Sequence, residues 1–488
     1  MTDQSWLQPM DEHNQNLMAN VRPSDWTNPT PAPKYNLVVI GAGSAGLVTA
    51  AGAAGLGAKV ALVEKRLMGG DCLNYGCVPS KSLIHSAMAG EPFPSAMERM
   101  RELRSRISAH DSAARFRDLG VDVFLGEAQF TGSHTVQVGD TVLNAQKVVI
   151  ATGSKPLIPP IPGLDQIGYL TNETIFNLTE LPKHLLVVGG GPIGCELAQG
   201  FHRFGAEVSI VEMASHILPR EEADAAESIQ TTFQQEGISL YLASSLGRVS
   251  KANGTKTATI QTADHEQTIE FDAILMAVGR EPNVEGFNLE AARVEYDAKQ
   301  GIGVNDWLQT ANLNIFAVGD CCLRHKFTHT ADASARMVIR NALFKGRQKY
   351  SDLVIPWCTY TQPEVAHVGL YQKEAEEKGW ETETITIPFS QVDRAILDGE
   401  ESGFLKVLLQ QGTDKILGAT LVARHAGEWI GELTLAIHQN IGLGKITSVI
   451  HPYPTQSEAI RKAADTYNRT RFTPLVKKLF QWWLSLGR

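Results

Sequence analysis

Cys72 and Cys77, five residues apart in GGDCLNYGCVPSKSL, are the residues of this chain whose type and spacing speak most directly of redox chemistry. On an ideal α-helix, residues five apart have Cα atoms roughly 8–9 Å from each other. A disulfide needs about 4.4–6.8 Å. The segment must therefore bend, and Gly70, Gly76 and Pro79 supply the means. A helix beginning near Pro79 would aim its positive end at the sulfurs and lower a thiolate pKa, and Lys81 adds a cation nearby. Two other readings fit less well. Inert buried thiols are a common fate of free cysteine. A zinc half-site would need a second Cys/His cluster at zinc spacing, and the sequence has none.

A second chemistry is carried by glycine. GAGSAG follows the apolar run Tyr35–Ile40 and precedes an alanine-rich segment and the run KVALVEK. In this setting Gly41 permits a tight turn, Gly43 lets backbone approach a pyrophosphate, and Gly46 packs helix against strand. The helix N-terminus then faces the phosphates, and Glu64, ending the second strand, is placed to bind ribose hydroxyls. The pattern recurs with Gly189, Gly191, Gly194 and Glu212. Two complete strand–loop–helix–strand units predict two nucleotide-binding domains. A carboxylate at Glu212 accepts from an adenosine 2′-hydroxyl and repels a 2′-phosphate, so NADH is favoured over NADPH. Arg220 lies close by but is followed by Glu221, Glu222 and Asp224, which can pair it.

The elements around these motifs have to position them. At 488 residues the chain is long enough for two or three domains, and hydrophobic content of 43% with 20% charged residues is that of a globular protein. A net charge of −9 argues against nucleic acid as a partner. The six cysteines are too few for a disulfide scaffold, the N-terminus lacks signal-peptide character, and no apolar run is long enough to span a bilayer. A cytoplasmic location is expected. Residues 1–33, rich in Asn, Asp and Pro, read as an extended arm, with a disordered tail as the competing reading. From Tyr350 onward, alternating patterns such as FLKVLL predict a further domain. The expected fold class is α/β, with two Rossmann-like domains and a C-terminal α+β domain.

GGDCLNYGCVPSK resembles the redox motif of the flavin disulfide reductases, which include dihydrolipoamide dehydrogenase, glutathione reductase and mercuric reductase. The likeness runs from Lys34 to about Thr470, with its motifs in family order. It implies an FAD-binding domain over 34–160 and 286–349, an NAD(P)-binding domain over 161–285, and a dimerisation domain over 350–472 of a homodimer, each active site drawing on both subunits. Residues 473–488 remain as a basic amphipathic tail. It implies FAD on Gly41–Gly46 and Glu64, and NAD(P)H on Gly189–Gly194, Glu212 and Gly279. Cys77 would be the thiol beside the flavin and Cys72 the one that meets the acceptor. Lys81, paired with Glu196, would lie near the flavin. Gly126, Thr152 and Gly153 resemble flavin-contacting turns, Asp320 a ribityl ligand, and Thr328 and His329 the backbone at the ring edge. No resident metal is implied.

The chain departs from this pattern opposite the cysteines. Disulfide-reducing members carry His-Pro with a Glu five residues after the His, a general acid–base pair. Here the text is IHPYPTQSEA, where Tyr453 stands five before Glu458 and His451 stands seven before it. Tyrosine, with an ordinary pKa of about 10, is a poor base near neutrality. Mercuric reductase has a tyrosine in this place and a second that resembles Tyr169. The pair favours a thiophilic metal ion or small oxidant as acceptor, since soft thiolates suit soft metals. Against mercury itself, the tail contains no cysteine, and the vicinal Cys321–Cys322 directly follows Asp320 and reads as packing. A dihydrolipoamide dehydrogenase using His451 or Tyr453 is one alternative, and a membrane-associated NADH:quinone dehydrogenase is another. The tail FTPLVKKLFQWWLSLGR, basic and Trp-containing, is a candidate for peripheral membrane contact, against packing on its own or the partner subunit.

Overall fold

The computed structural model describes residues 6–263 and 265–487, so the first five residues of the arm and the tail's Arg488 lie outside the described residues. The chain forms two compact units. One comprises residues through Ile217 together with Gly237–Asp352, and the other Leu218–Glu236 with everything from Leu353. Leu218–Glu236, which the sequence places within 161–285, thus belongs with the C-terminal unit.

The first unit contains the two nucleotide folds. Tyr35–Ile40 sits centrally in a parallel sheet, paired with Val60–Glu64 on one side and with the C-terminal half of Thr141–Ile150 on the other. Asp122–Leu125 and Ile315–Ala317 flank these. Every residue of Val60–Glu64 is buried, as expected of a parallel strand covered on both faces. The helices Ser44–Gly55 and Thr328–Phe344 pack together over this sheet's core. The N-terminal half of Thr141–Ile150 turns into an antiparallel meander with Thr135–Val138 and Ala128–Gly132. The second fold repeats the plan, with His184–Val188 between Glu207–Val211 and Ala273–Met276, all parallel. A three-stranded antiparallel layer, Ser245–Phe271, accompanies it.

The N-terminal segment is not an extended arm. Glu12–Val21 is a helix capped by the Asp11 side chain, which accepts from Asn14 N–H at 2.9 Å. Leu7, Leu17 and Val21 are buried in the same core cluster as the first nucleotide fold. Beyond the helix the chain runs along the outer strand Asp122–Leu125. Trp26 Nε1 donates to Val123 O, and Asn28 exchanges hydrogen bonds with Leu125. Few apolar residues in a polar, proline-rich stretch were enough to dock it, because Leu17 and Val21 share one helix face.

In the second unit a five-stranded antiparallel sheet runs in the order Pro356–Thr359, Glu364–Gly369, Ile416–Ala423, Phe404–Gln410, Thr382–Pro388. Its middle strand is buried from end to end, and helices Ala426–His438 and Glu458–Thr470 pack on the sheet. The tail forms a helix, Pro474–Ser485, whose residues are exposed except for the half-buried Val476. Among the described residues no helix is long and apolar enough to cross a membrane.

Candidate active site

The redox segment is two helices with a break between them. Cys72 lies in the short helix Gly70–Asn74, and the next helix, Cys77–Met88, begins with Cys77 itself rather than near Pro79. Gly76 makes the break at φ −128° and ψ −111°, and a Cβ there would come within 3.0 Å of Asp71 O. The earlier helix start places Cys77 in the first turn, where free N–H groups and the dipole favour a thiolate. The two thiols are close enough to shift each other's ionisation in opposite directions. Thr328 Oγ1 lies 3.4 Å from Cys77 Sγ. The hydrogen bond from Cys72, against the opposing effect of burial, and with help from Thr328 and the Lys81 cation, brings the Cys77 thiol down to about 6. The same bond, together with burial, pushes Cys72 upward. The direction of the two shifts favours the charge on Cys77 and the proton on Cys72.

Lys81 Nζ donates to Glu196 Oε2 at 2.6 Å, joining the helix that starts at Cys77 to the helix of the second glycine loop, Pro192–Arg203. On the other side of the redox segment, Asn172 Nδ2 donates to Asp71 Oδ1 at 2.9 Å and to Tyr75 O at 3.3 Å. Arg280 pairs with Asp71 at 3.3 Å and donates to Asn172 Oδ1 and to Ser154. Ser154 in turn donates to Asp320 Oδ2 at 2.7 Å. Burial raises the pKa of Asp320. Arg280 and Asn172 were not legible as site residues, although Arg280 directly follows Gly279 in AVGREPN. Thr152 is held by reciprocal bonds with Asn283, and Gly153 accepts from Asn283 N–H. His329 follows Thr328 in the first turn of its helix and stacks on Phe327.

The two glycine loops have one geometry. At Gly41, φ is +103° and a Cβ would lie 2.4 Å from Ala151 O; at Gly189, φ is +104° and the clash would be with Ala277 O at 2.5 Å. Gly46 and Gly194 meet their own loop carbonyls, Gly41 O and Gly189 O, at 1.8 and 2.0 Å. Gly43 backs onto the Gly70 backbone, whereas Gly191 faces open space. Each strand-end carboxylate ties its own loop: Glu64 accepts from Ala42 and Arg66 N–H, Glu212 from Gly190 and Ala214 N–H, all at 2.7–2.8 Å. Burial raises the Glu64 pKa. Gly126 N–H bonds Glu64 O, and Gly279 follows Ala277 and Val278 just as Gly153 follows Ala151 and Thr152.

Residues 35–335 match the family model for pyridine nucleotide-disulphide oxidoreductases, and residues 355–464 match that family's dimerisation domain. The chain belongs to this oxidoreductase family. A mercuric reductase of Staphylococcus aureus is 33% identical over 89% of this chain and 83% of its own length. A dihydrolipoyl dehydrogenase of Chlorobaculum tepidum is 32% identical over 89% and 97%. Among solved structures, a Cu(II) complex of the HOCl-induced flavoprotein disulfide reductase RclA from Escherichia coli superposes with a TM-score of 0.81 at 30% identity, covering 87% of this chain and 98% of that one. The quinone dehydrogenase alternative gains no support from these relatives. Membership implies FAD and NAD(P)H as cofactors. The two bare glycine loops, each closed by a buried or half-buried carboxylate, fit a pair of dinucleotides.

The C-terminal unit of this oxidoreductase does not join Tyr453 to Glu458. Tyr453 is 70% exposed, and its hydroxyl donates to Asp393 Oδ2 at 3.0 Å, which raises its pKa above the ordinary tyrosine value. Glu458 is buried and accepts from Arg461 at 2.6 Å. His451, by contrast, has a carboxylate partner that counting along the sequence does not find: its Nε2 lies 3.1 Å from Glu432 Oε1. Tyr169 packs at the edge of the apolar cluster formed by Leu164, Leu186, Val249 and their neighbours in the second nucleotide fold. A thiolate titration of the reduced protein at 240 nm should show one thiolate forming at about pH 6, as expected for Cys77. Lys81→Met should move that midpoint upward, and absence of any thiolate below pH 8 would refute the assignment.

Proposed function

We propose that this oxidoreductase uses NADH to reduce a thiophilic metal ion or a small oxidant at the Cys72–Cys77 pair. The observation that carries the reading is the pair's setting, Cys72 on one short helix and Cys77 heading the next across the Gly76 break, with Thr328 Oγ1 3.4 Å from Cys77 Sγ. FAD, when bound, supplies two-electron transfer between nicotinamide and disulfide. Cys77 holds negative charge under the Thr328 hydroxyl, Lys81 supplies a compensating cation held by Glu196, and Cys72 meets the acceptor. The Cu(II) carried by the RclA structure supports a soft or borderline metal as the acceptor class. A second reading, dithiol–disulfide exchange, draws support from His451 and Glu432, which form an acid–base pair of the kind that chemistry uses. In either case we assign a homodimer, with the acid–base loop at 449–453 supplied by the second copy, in keeping with the family's dimerisation domain.

Anaerobic reduction by NADH, followed by rapid mixing with Hg(II), Cu(II), lipoamide, glutathione disulfide or a quinone, separates these readings. Fast reoxidation by a metal ion, abolished in Cys72→Ser, is expected. Reoxidation by lipoamide and by no metal would sink the metal reading.

The cofactor preference rests on Glu212, whose two carboxylate oxygens are fixed by backbone N–H groups at the strand end. An added 2′-phosphate would meet that negative charge. NADH should exceed NADPH in kcat/KM by at least about tenfold, and Glu212→Gln should narrow the gap. Equal use of both dinucleotides by the native enzyme would refute the preference.

For the tail, we assign contact with an anionic membrane surface. Helix Pro474–Ser485 leaves Leu475, Leu479, Phe480, Trp482 and Trp483 exposed on the single subunit, so packing on its own subunit does not explain them, and the partner subunit is the competing cover. No acidic residue follows Asp465, whereas Lys477 and Lys478 lie on the helix. The full chain should sediment with anionic liposomes and a version ending at Thr473 should not. Equal binding by the two would dismiss the membrane as the tail's partner.

A further inference from the structure

The N-terminal segment precedes residue 35, where the family model begins, yet it reaches the backbone between the two redox cysteines. The connection runs through Arg104, a fully buried side chain on the helix Phe93–Ser108. Its Nη1 donates to Asn74 O at 2.8 Å, and its Nη2 donates to Asn14 Oδ1 at 2.8 Å. Asn74 lies between Cys72 and Cys77, and Asn14 lies in the N-terminal helix. Asn14 is itself fully buried and donates from Nδ2 to Pro9 O at 2.6 Å. On the same side Arg101 pairs with Asp11 at 2.5 Å. Further along the segment, Arg22 donates to Lys65 O and Arg66 O, and Met68 N–H donates to Val21 O. The arm therefore holds the backbone leading into the redox segment directly at 65, 66 and 68, and reaches residue 74 only through Arg104.

Placing a guanidinium in a dry interior is costly, and here its direct hydrogen bonds go to uncharged oxygens, one from each side. Burial accordingly lowers the Arg104 pKa to about 10. Such an arrangement fixes position more than it adds stability. Without Asn14 the Arg104 fork would lose the acceptor that orients it, and the Asn74 carbonyl would lose a fixed donor. Asn74 is also held locally, since its Nδ2 donates to Met68 O and Gly70 O.

We propose that the N-terminal segment is a positioning element for the dithiol: through Asn14 and Arg104 it holds the Asn74 backbone and so sets the equilibrium between the Cys72–Cys77 disulfide and its dithiol. This rests on the reading of that pair as the redox centre. Near neutral pH the couple is balanced as disulfide plus two electrons and one proton giving the Cys72 thiol and the Cys77 thiolate, with dithiothreitol as reductant in the test, itself oxidised to its cyclic disulfide.

The test equilibrates the holoenzyme in dithiothreitol redox buffers, quenches with acid, and quantifies the Cys72–Cys77 peptide as disulfide or dithiol. Asn14→Ala should change the equilibrium constant about tenfold, some 30 mV for a two-electron couple. Leu17→Ala, which removes packing from the same helix but no link to Arg104, should lower Tm while leaving the constant within twofold. A constant unchanged in Asn14→Ala, or changed equally by both variants, would overturn the proposal while leaving the redox pair standing. Failure of the native pair to form a disulfide in oxidising buffer would overturn both.

Discussion

A chain that is to close a disulfide over a five-residue spacing cannot be helical between the cysteines, and a break in a helix exposes backbone groups that must be held by something else. Much of the first unit answers that requirement. The break at Tyr75–Gly76 is flanked by Asn172 on Asp71 and Tyr75 O, by Arg280 on Asp71, and by Arg104 on Asn74 O. Once the break is fixed, Cys77 heads a helix while Cys72 stays on a separate one-turn segment. The asymmetry between the two sulfurs follows from that geometry. The helix that begins at Cys77 also carries Lys81, so the thiolate, its cation and the partner Glu196 are mounted on rigid elements.

The dinucleotide loops show the same physics used twice. In each, a glycine at positive φ passes under a carbonyl of the neighbouring strand's exit, and a second glycine packs its helix against the loop's own backbone. The strand-end carboxylate, 22 residues from the N–H it binds in both copies, closes the loop before any ribose is considered. That contact alone gives an acid a reason to stand there: it satisfies loop N–H groups that would otherwise be orphaned in a buried or half-buried turn.

What was legible in the sequence is what is encoded locally. Glycine loops, apolar strands and the cysteine motif depend on a few adjacent residues, and they gave the fold class, the family and the cofactors. Contacts made across the fold were not legible. Arg280 and Asn172 reach Asp71 from more than a hundred residues away in sequence number for Asn172 and farther for Arg280, with no pattern to announce them. The arm looked extended because its composition is polar, while its docking depends on Leu7, Leu17 and Val21 and on a buried Asn14 that no hydropathy pattern marks. Counting five residues back from Glu458 selected Tyr453, but the fold gives Glu458 to Arg461 and Tyr453 to Asp393, and leaves His451 with Glu432.

The proton on Cys72 bears on the acceptor. With Cys77 charged beside it, Cys72 holds its proton more firmly than an ordinary thiol, so any reaction through Cys72 must remove that proton. A disulfide acceptor is a poor Lewis acid and leaves the task to a general base, for which His451 with its Glu432 partner is suited and the exposed, Asp393-bound Tyr453 is not. A soft metal ion does the task itself, because coordination deprotonates a thiol outright. Such an ion would rest on two thiolates with no acid–base relay needed, and its reducing electrons would come from NADH through FAD when that cofactor is bound. Within the proposed function, a Cys72 proton held more firmly than usual weighs on disulfide exchange more than on metal binding.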